Sequence, residues 1–127
     1  MSATDRLLIV GSNARNQDLL AAFIHRLGYA ILRADTLAML TQLLDDAQPL
    51  RFALVDITGF DAAIWECCAR LHARDIPLLI ISPRQSAAMR QLAFTHGAQT
   101  IMEKPLVMRE LADAIRGFMQ AAPGDAG

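Results

Sequence analysis

The feature that most constrains the fold is a hydrophobic period that changes back and forth five times along the chain. Short, continuous apolar runs, typical of strands buried on both faces, alternate with stretches whose apolar residues recur at helical spacing. The runs predict strands at residues 7–10, 29–32, 52–55, 77–81 and 100–102. The helical stripes between them predict helices at 18–27, 37–44, 61–73, 85–95 and 107–119.

Strands that alternate with helices through short connections predict a parallel sheet, because each crossover is right-handed and lays its helix against the sheet. We therefore expect an α/β three-layer sandwich, in which a five-stranded parallel sheet carries helices on both faces. The chain has 127 residues, more than half of them apolar, which suits a single domain. We expect that domain to span residues 1–120, with 121–127 as a flexible tail or the start of a linker.

Charge, hydropathy and cysteine content exclude several classes of function. The net charge is −1 and the 12 basic residues are scattered singly, which predicts no direct nucleic-acid partner. No apolar run approaches the roughly 20 residues that span a bilayer, and the first residues lack a secretory signal, so we expect a cytoplasmic protein without a membrane partner. Cys67 and Cys68 are adjacent in a predicted helix, where a disulfide is geometrically poor, and should be reduced.

Polar residues stand where the predicted strands end, and in a parallel α/β sheet functional groups concentrate at the carboxyl ends of the strands. Asp56 ends the third strand, Ser82 follows the fourth and Lys104 follows the fifth. A carboxylate nucleophile, a hydroxyl that can bond a phosphoryl oxygen and an ammonium that neutralises charge are the protein parts of an acyl-phosphate site. We take these three side chains as the candidate site.

With these residues in place, the chain resembles the receiver domain of two-component response regulators across residues 7–119. The matching motifs are Phe-Ala-Leu-Val-Asp at 52–56, Leu-Ile-Ile-Ser at 79–82, and the segment from Gly97 to the pair Lys104-Pro105, whose peptide bond is often cis in that family. The resemblance implies a flavodoxin-like fold of the receiver type. It also implies that Asp56 is a phosphoacceptor served by a histidine kinase.

Three departures from the family pattern bear on activity. Gly11 and Ser12 stand where the family has two acidic residues that help to hold Mg²⁺, and neutral oxygens hold this hard cation less firmly than carboxylates. The loop after Asp56 is about two residues short, which predicts a displaced carbonyl of Thr58, the remaining expected ligand. Ile101 replaces the family's switch aromatic. We therefore assign no metal ligands, expect no cofactor and at most weak Mg²⁺ binding, and expect a direct ion pair of Lys104 with the carboxylate.

The sequence thus predicts a non-enzymatic, atypical receiver of the pseudo-receiver kind, which acts through protein contacts with phosphorylation reduced or absent. The partner would be a histidine kinase or another signalling protein, or a second copy bound through the fourth helix, fifth strand and fifth helix. The candidates for the switch or the interface are Ile101, Pro105, Met89 and Phe94.

Two alternative functions remain open. One is a genuine receiver that a histidine kinase phosphorylates on Asp56. The other is sensing of a small anion or nucleotide by the polar loop from Gly11 to Asn16, whose backbone N–H groups could cradle a phosphate. That loop lacks the glycines of a dinucleotide fingerprint and the Gly-Lys-Ser/Thr of a P-loop.

Overall fold

The computed structural model describes residues 6–120, in which five strands and five helices alternate as predicted. In chain order these elements are β1 (Arg6–Val10), α1 (Ala14–Arg26), β2 (Ala30–Ala34), α2 (Leu37–Asp45), β3 (Phe52–Asp56), α3 (Ala63–Ala73), β4 (Leu78–Ser82), α4 (Ala87–Thr95), β5 (Ala98–Glu103) and α5 (Met108–Gln120).

The strands form one parallel sheet in the order β2-β1-β3-β4-β5. This arrangement confirms the predicted five-stranded parallel sheet. The register places Val10 beside Val55, Asp56 beside Ile81, and Ser82 beside Glu103. Because all strands point the same way, the residues that follow them meet at one edge of the sheet, which we call the carboxyl edge.

Both faces of the sheet are covered, which confirms the three-layer architecture. The side chains of β1, β3 and β4 are almost entirely buried, since helices lie above and below these central strands. One core cluster joins a sheet face to α2, α3 and α4, and the other joins the opposite face to α1 and α5. In the second cluster the rings of Phe52 and Phe118 stack with centroids 4.4 Å apart.

Several helices begin at residues other than those predicted, and side-chain capping explains the difference. Helix α1 begins four residues early because the Asn13 side chain accepts a hydrogen bond from the Asn16 amide. Helix α4 begins at Ala87 because Ser86 caps it. The prediction that Asp61 caps α3 is wrong: Ala62 occupies the N-cap position without a side-chain hydrogen bond, and Asp61, one residue earlier in the chain, accepts from the amide of Ala63.

Three further predictions concern the cysteines, membrane-spanning segments and the C-terminal tail. Cys67 and Cys68 are free and buried, and burial raises the pKa of the Cys68 thiol to about 12. Within residues 6–120 no helix combines the length and the apolar character that crossing a bilayer requires. The predicted tail at 121–127 lies outside the described residues.

Candidate functional site

Two of the three candidate side chains, Asp56 and Lys104, form an ion pair at the carboxyl edge. The Nζ atom of Lys104 lies 2.7 Å from Oδ2 of Asp56, and the two side chains are 27% and 18% exposed. The Lys104 amide also donates to the carbonyl of Ser82 at 2.9 Å, which holds the loop after β5 against the end of β4. The ion pair expected from the sequence is therefore present.

Thr58, two residues beyond Asp56, connects the loops that follow three different strands. Its amide donates to Oδ1 of Asp56 at 3.0 Å, and its hydroxyl accepts from Nζ of Lys104 at 3.2 Å. Its carbonyl accepts from the Ser12 hydroxyl at 2.8 Å. The loops after β1, β3 and β5 are thereby joined through one residue.

Gly59 permits the approach of Ser12 to Thr58. Its φ angle is +83°, a left-handed conformation that a residue with a side chain adopts only under strain. A Cβ at this position would lie 2.4 Å from the Ser12 hydroxyl oxygen. This contact was not predicted from the sequence, although a glycine three residues after the candidate carboxylate is a signal of a tight turn.

Ser82, the third candidate, is 2% exposed and ends β4 next to the ion pair. Its hydroxyl donates to the carbonyl of Arg84 at 2.6 Å and so fixes the start of the loop that follows. The structure therefore places the predicted hydroxyl at the carboxyl edge, where its hydrogen bond is made within its own loop.

Gln17 was not among the residues predicted for the site. Its buried side chain packs against the loop after β1. It is 3% exposed, and its Nε2 atom donates to the carbonyls of Ile9 and Ala34 and to Oδ1 of Asp35 at 3.2 to 3.4 Å. A Cβ on Gly11 would lie 2.9 Å from its Oε1 atom. The packing of Gln17 therefore explains why glycine occupies position 11.

Asp35, the acidic partner of Gln17, is held in turn by Arg33. The guanidinium donates to both carboxylate oxygens at 2.8 and 2.9 Å, and to Asp18 at 2.6 Å. These hydrogen bonds from Arg33 are the main reason that the pKa of Asp35 lies below its usual value. The signal that could have revealed this network is Gln17 itself, which lies seven residues before Ile24 on the buried stripe of α1.

Mg²⁺, the cation implied by the resemblance, does not fit this donor set. No group of three or more His, Cys, Asp or Glu side chains that could bind a metal occurs within residues 6–120. Asp56 contributes a carboxylate, both of whose oxygens are already engaged, and the Thr58 carbonyl is bonded to Ser12. A small hard cation needs several free oxygens, and charged ones in particular. We therefore derive no step through a metal.

A cleft of about 610 Å³ opens beside the ion pair, between α1 and the loop that follows β5. Gly11, Asn13 and Asn16, from the loop considered for anion binding, line it together with Asp56. Lys104 also lines the cleft, and its ammonium is paired with Asp56, so it offers little attraction to an anion, and anion sensing stays a prediction.

The four interface candidates differ in how accessible they are. Met89 and Ile101 are half-buried and pack against the core cluster beneath α2, α3 and α4. Phe94 is 44% exposed, with the guanidinium of Arg90 5.5 Å from its ring centre, and Pro105 is exposed. Other large apolar side chains exposed on α4 or at the start of α5 are Leu92, Val107 and Met108.

Comparison with solved structures identifies the fold. A CheY-like response regulator receiver domain from Methanospirillum hungatei superposes with a TM-score of 0.81 at 21% identity, covering 90% of this chain and 92% of that one. The receiver domain of a modulated diguanylate cyclase from Desulfovibrio desulfuricans superposes with a TM-score of 0.73 at 26% identity, covering 90% and 92%. The Lys104-Pro105 peptide bond is cis here.

Comparison of sequences gives a weaker relationship. A probable transcriptional regulatory protein of Picosynechococcus is 25% identical over 94% of this chain. The chain spans 51% of that protein, or about half its length. No family model matches the sequence.

Proposed function

We propose that this chain, which has the fold of response-regulator receiver domains, is an atypical receiver module that signals through protein contacts, with phosphorylation of Asp56 reduced or absent. The observation that carries the proposal is the 2.7 Å ion pair of Asp56 with Lys104, at an edge where Gly11 and Ser12 supply no further carboxylate. The module would belong to two-component signalling.

The chemistry of phosphoryl transfer favours reduced activity. An anionic phosphodonor must approach an anionic carboxylate, so the site has to neutralise charge on both partners. Here the single ammonium of Lys104 already balances Asp56. Both carboxylate oxygens also accept hydrogen bonds in the ground state, from Lys104 and from the Thr58 amide, which lowers their availability as nucleophiles.

Reaction with a small phosphodonor tests this proposal. The protein would be incubated with acetyl phosphate and Mg²⁺ and analysed by intact mass, beside an Asp56→Asn variant and a receiver that retains its acidic pair. We expect the second receiver to gain a phosphoryl group and this chain to gain little or none. A stoichiometric, base-labile gain that Asp56→Asn abolishes would instead establish the alternative, a genuine phosphoacceptor. The cleft supports this alternative, because it gives the Asp56 carboxylate access to solvent.

Contacts through α4, β5 and α5 are the proposed means of signalling. Phe94 and Leu92 on α4 and Met108 on α5 are large apolar side chains with 39 to 44% of their surface exposed. Such side chains are enriched at protein interfaces. The proposed partner is a histidine kinase or another signalling protein, and a second copy of the chain is the simplest case to test. The half-length match to a transcriptional regulator supports a role as the regulatory module of a larger regulator.

Light scattering across a range of concentrations tests self-association. We expect a mass that rises with concentration and that Phe94→Ser lowers towards the monomer. Met39→Ser is the matched control, because Met39 is 45% exposed on α2, which packs on β2 at the opposite edge of the sheet from β5. A wild-type protein that stays monomeric throughout, or equal effects of the two substitutions, would rule out a homodimer through this surface.

A further inference from the structure

We propose that the chain itself takes the place of a divalent cation beside Asp56, with Lys104 supplying the positive charge and Ser12 closing the carbonyl of Thr58. The inference rests on the proposed function, because it concerns the same site. It goes further in identifying Ser12 as the residue that decides whether a cation can bind there.

Charge is the first reason. The Lys104 ammonium lies 2.7 Å from one Asp56 oxygen and 3.2 Å from the Thr58 hydroxyl, so it sits between two oxygens that face the site. One positive charge balances one carboxylate, which leaves no net negative charge to attract a dication. A dication that approached Asp56 would also be repelled by the ammonium at short range.

The engagement of the oxygens is the second reason. Oδ1 of Asp56 accepts from the Thr58 amide, Oδ2 accepts from Lys104, and the Thr58 carbonyl accepts from the Ser12 hydroxyl. The nearby side-chain oxygen of Asn13 accepts from the first turn of α1. A cation would have to share these oxygens with the donors that already bind them, which weakens each oxygen as a ligand, and it would find one carboxylate.

Backbone shape is the third reason, and it singles out Ser12 from its neighbour. Gly59, at φ +83°, leaves room for the Ser12 hydroxyl where a Cβ would come within 2.4 Å. Gly11, by contrast, is buried against Gln17, so an acidic side chain there would displace a buried, hydrogen-bonded amide. Ser12 is exposed and can be exchanged for an acid without entering the core.

Thermal melting of three proteins tests the inference: the wild type, Ser12→Asp and Ser12→Asn. The asparagine has nearly the same shape as the aspartate but carries no charge. Each would be melted in MgCl₂ and in NaCl of matched ionic strength. We expect wild type and Ser12→Asn to melt at the same temperature in both salts. Ser12→Asp opens the Thr58 carbonyl and adds a carboxylate, so saturating Mg²⁺ should raise its Tm by about 3–8 °C.

Circular dichroism would verify that each variant is folded before its melting temperature is interpreted. A folded Ser12→Asp that neither gains stability from Mg²⁺ nor binds it in calorimetry would overturn the assignment to Ser12. If Mg²⁺ raises the melting temperature of the wild type as much as that of Ser12→Asp, the proposal that the chain itself takes the place of the cation is wrong.

The failure of this inference is distinguishable from the failure of the proposed function. Stabilisation of the wild type by Mg²⁺ without any phosphoryl gain would overturn the inference alone. Stoichiometric phosphorylation of Asp56 in the presence of a chelator would overturn the proposed function and leave the inference intact.

Discussion

The two ends of the candidate site, after β5 and after β1, differ in how they compare with the receiver pattern. After β5, Lys104 and Pro105 follow the pattern, and the lysine forms the ion pair with Asp56 that was expected in the absence of the acidic pair. After β1, Gly11 and Ser12 stand where the receiver pattern has two acids: the Ser12 hydroxyl donates to the Thr58 carbonyl, and Gly11 packs on the buried Gln17 side chain. One strand end therefore contributes a charge to the site, and the other contributes neutral contacts.

The difference between the two ends is also a difference in the kind of interaction. The β5 end contributes a charge–charge contact, whose strength depends on how far water is excluded. The β1 end contributes a neutral hydrogen bond and close packing, which act over short distances and tolerate little change in shape. Substitutions at the two ends should therefore lower the free energy of unfolding by different amounts. The largest expected effect comes first below.

Replacing Gly11 with the acid of the family pattern should have the largest effect. Gly11→Asp forces atoms into the space of the buried Gln17 side chain, and we expect a loss of about 2–3 kcal/mol in the free energy of unfolding, measured by urea titration. Gly117→Ala is the matched control, because a Cβ added at Gly117 meets nothing within 4 Å. This substitution should stabilise α5 by about 0.5–1 kcal/mol, since alanine favours the helix more than glycine does. Equal effects of the two substitutions would contradict the packing described here.

Removal of the ammonium at the β5 end should have an intermediate effect. Lys104→Met leaves the Asp56 carboxylate, 18% exposed, without its cation, and we expect a loss of about 1–2 kcal/mol. Arg116→Met is the control, since Arg116 pairs with Asp113 at 3.8 Å on the exposed face of α5. If chemical unfolding finds the two variants equally stable, the ion pair at the site contributes no more than a surface pair.

Acid should weaken the β1 end through Asp35. Because Arg33 holds the pKa of Asp35 below its usual value, the charged carboxylate contributes stability above about pH 4, where it is ionised in both folded and unfolded chains. That contribution is lost as the pH falls through the lowered pKa. Unfolding titrations over this range should show a shallower decline for Asp35→Asn than for the wild type. Parallel curves would show that the carboxylate adds no pH-dependent stability.

The fold and half of the site could be predicted from the sequence, for a physical reason. Strand and helix periods and the motif at Lys104 are local patterns, and the parallel arrangement then brings Asp56 and Lys104 to one edge. The contact of Ser12 with Thr58 joins residues 46 positions apart and depends on the φ angle of Gly59, which no pattern encodes. The absence of acidic residues at positions 11 and 12 was visible in the sequence, whereas the contacts of Gly11 and Ser12 depend on the tertiary structure.

The interface candidates also show which features local sequence patterns predict and which depend on the tertiary structure. Helical and strand periods indicated that Met89, Phe94 and Ile101 were apolar positions of α4 and β5, but periodicity alone could not separate core from surface on elements at the edge of the sheet. Met89 and Ile101 pack inward, whereas Phe94 projects outward beside Arg90. Exposure on an edge element depends on where the neighbouring helix lies, which is a property of the tertiary structure.

The most direct test of the central claim is calorimetric titration of the wild-type protein with Mg²⁺, with Ser12→Asp titrated beside it. If the chain itself replaces the cation, the wild type should give only the heat of dilution, and Ser12→Asp should give a saturable one-to-one isotherm. A saturable isotherm from the wild type at low millimolar Mg²⁺ would contradict the account, because it would show that the ion pair and the Ser12 hydrogen bond leave a working metal site beside Asp56.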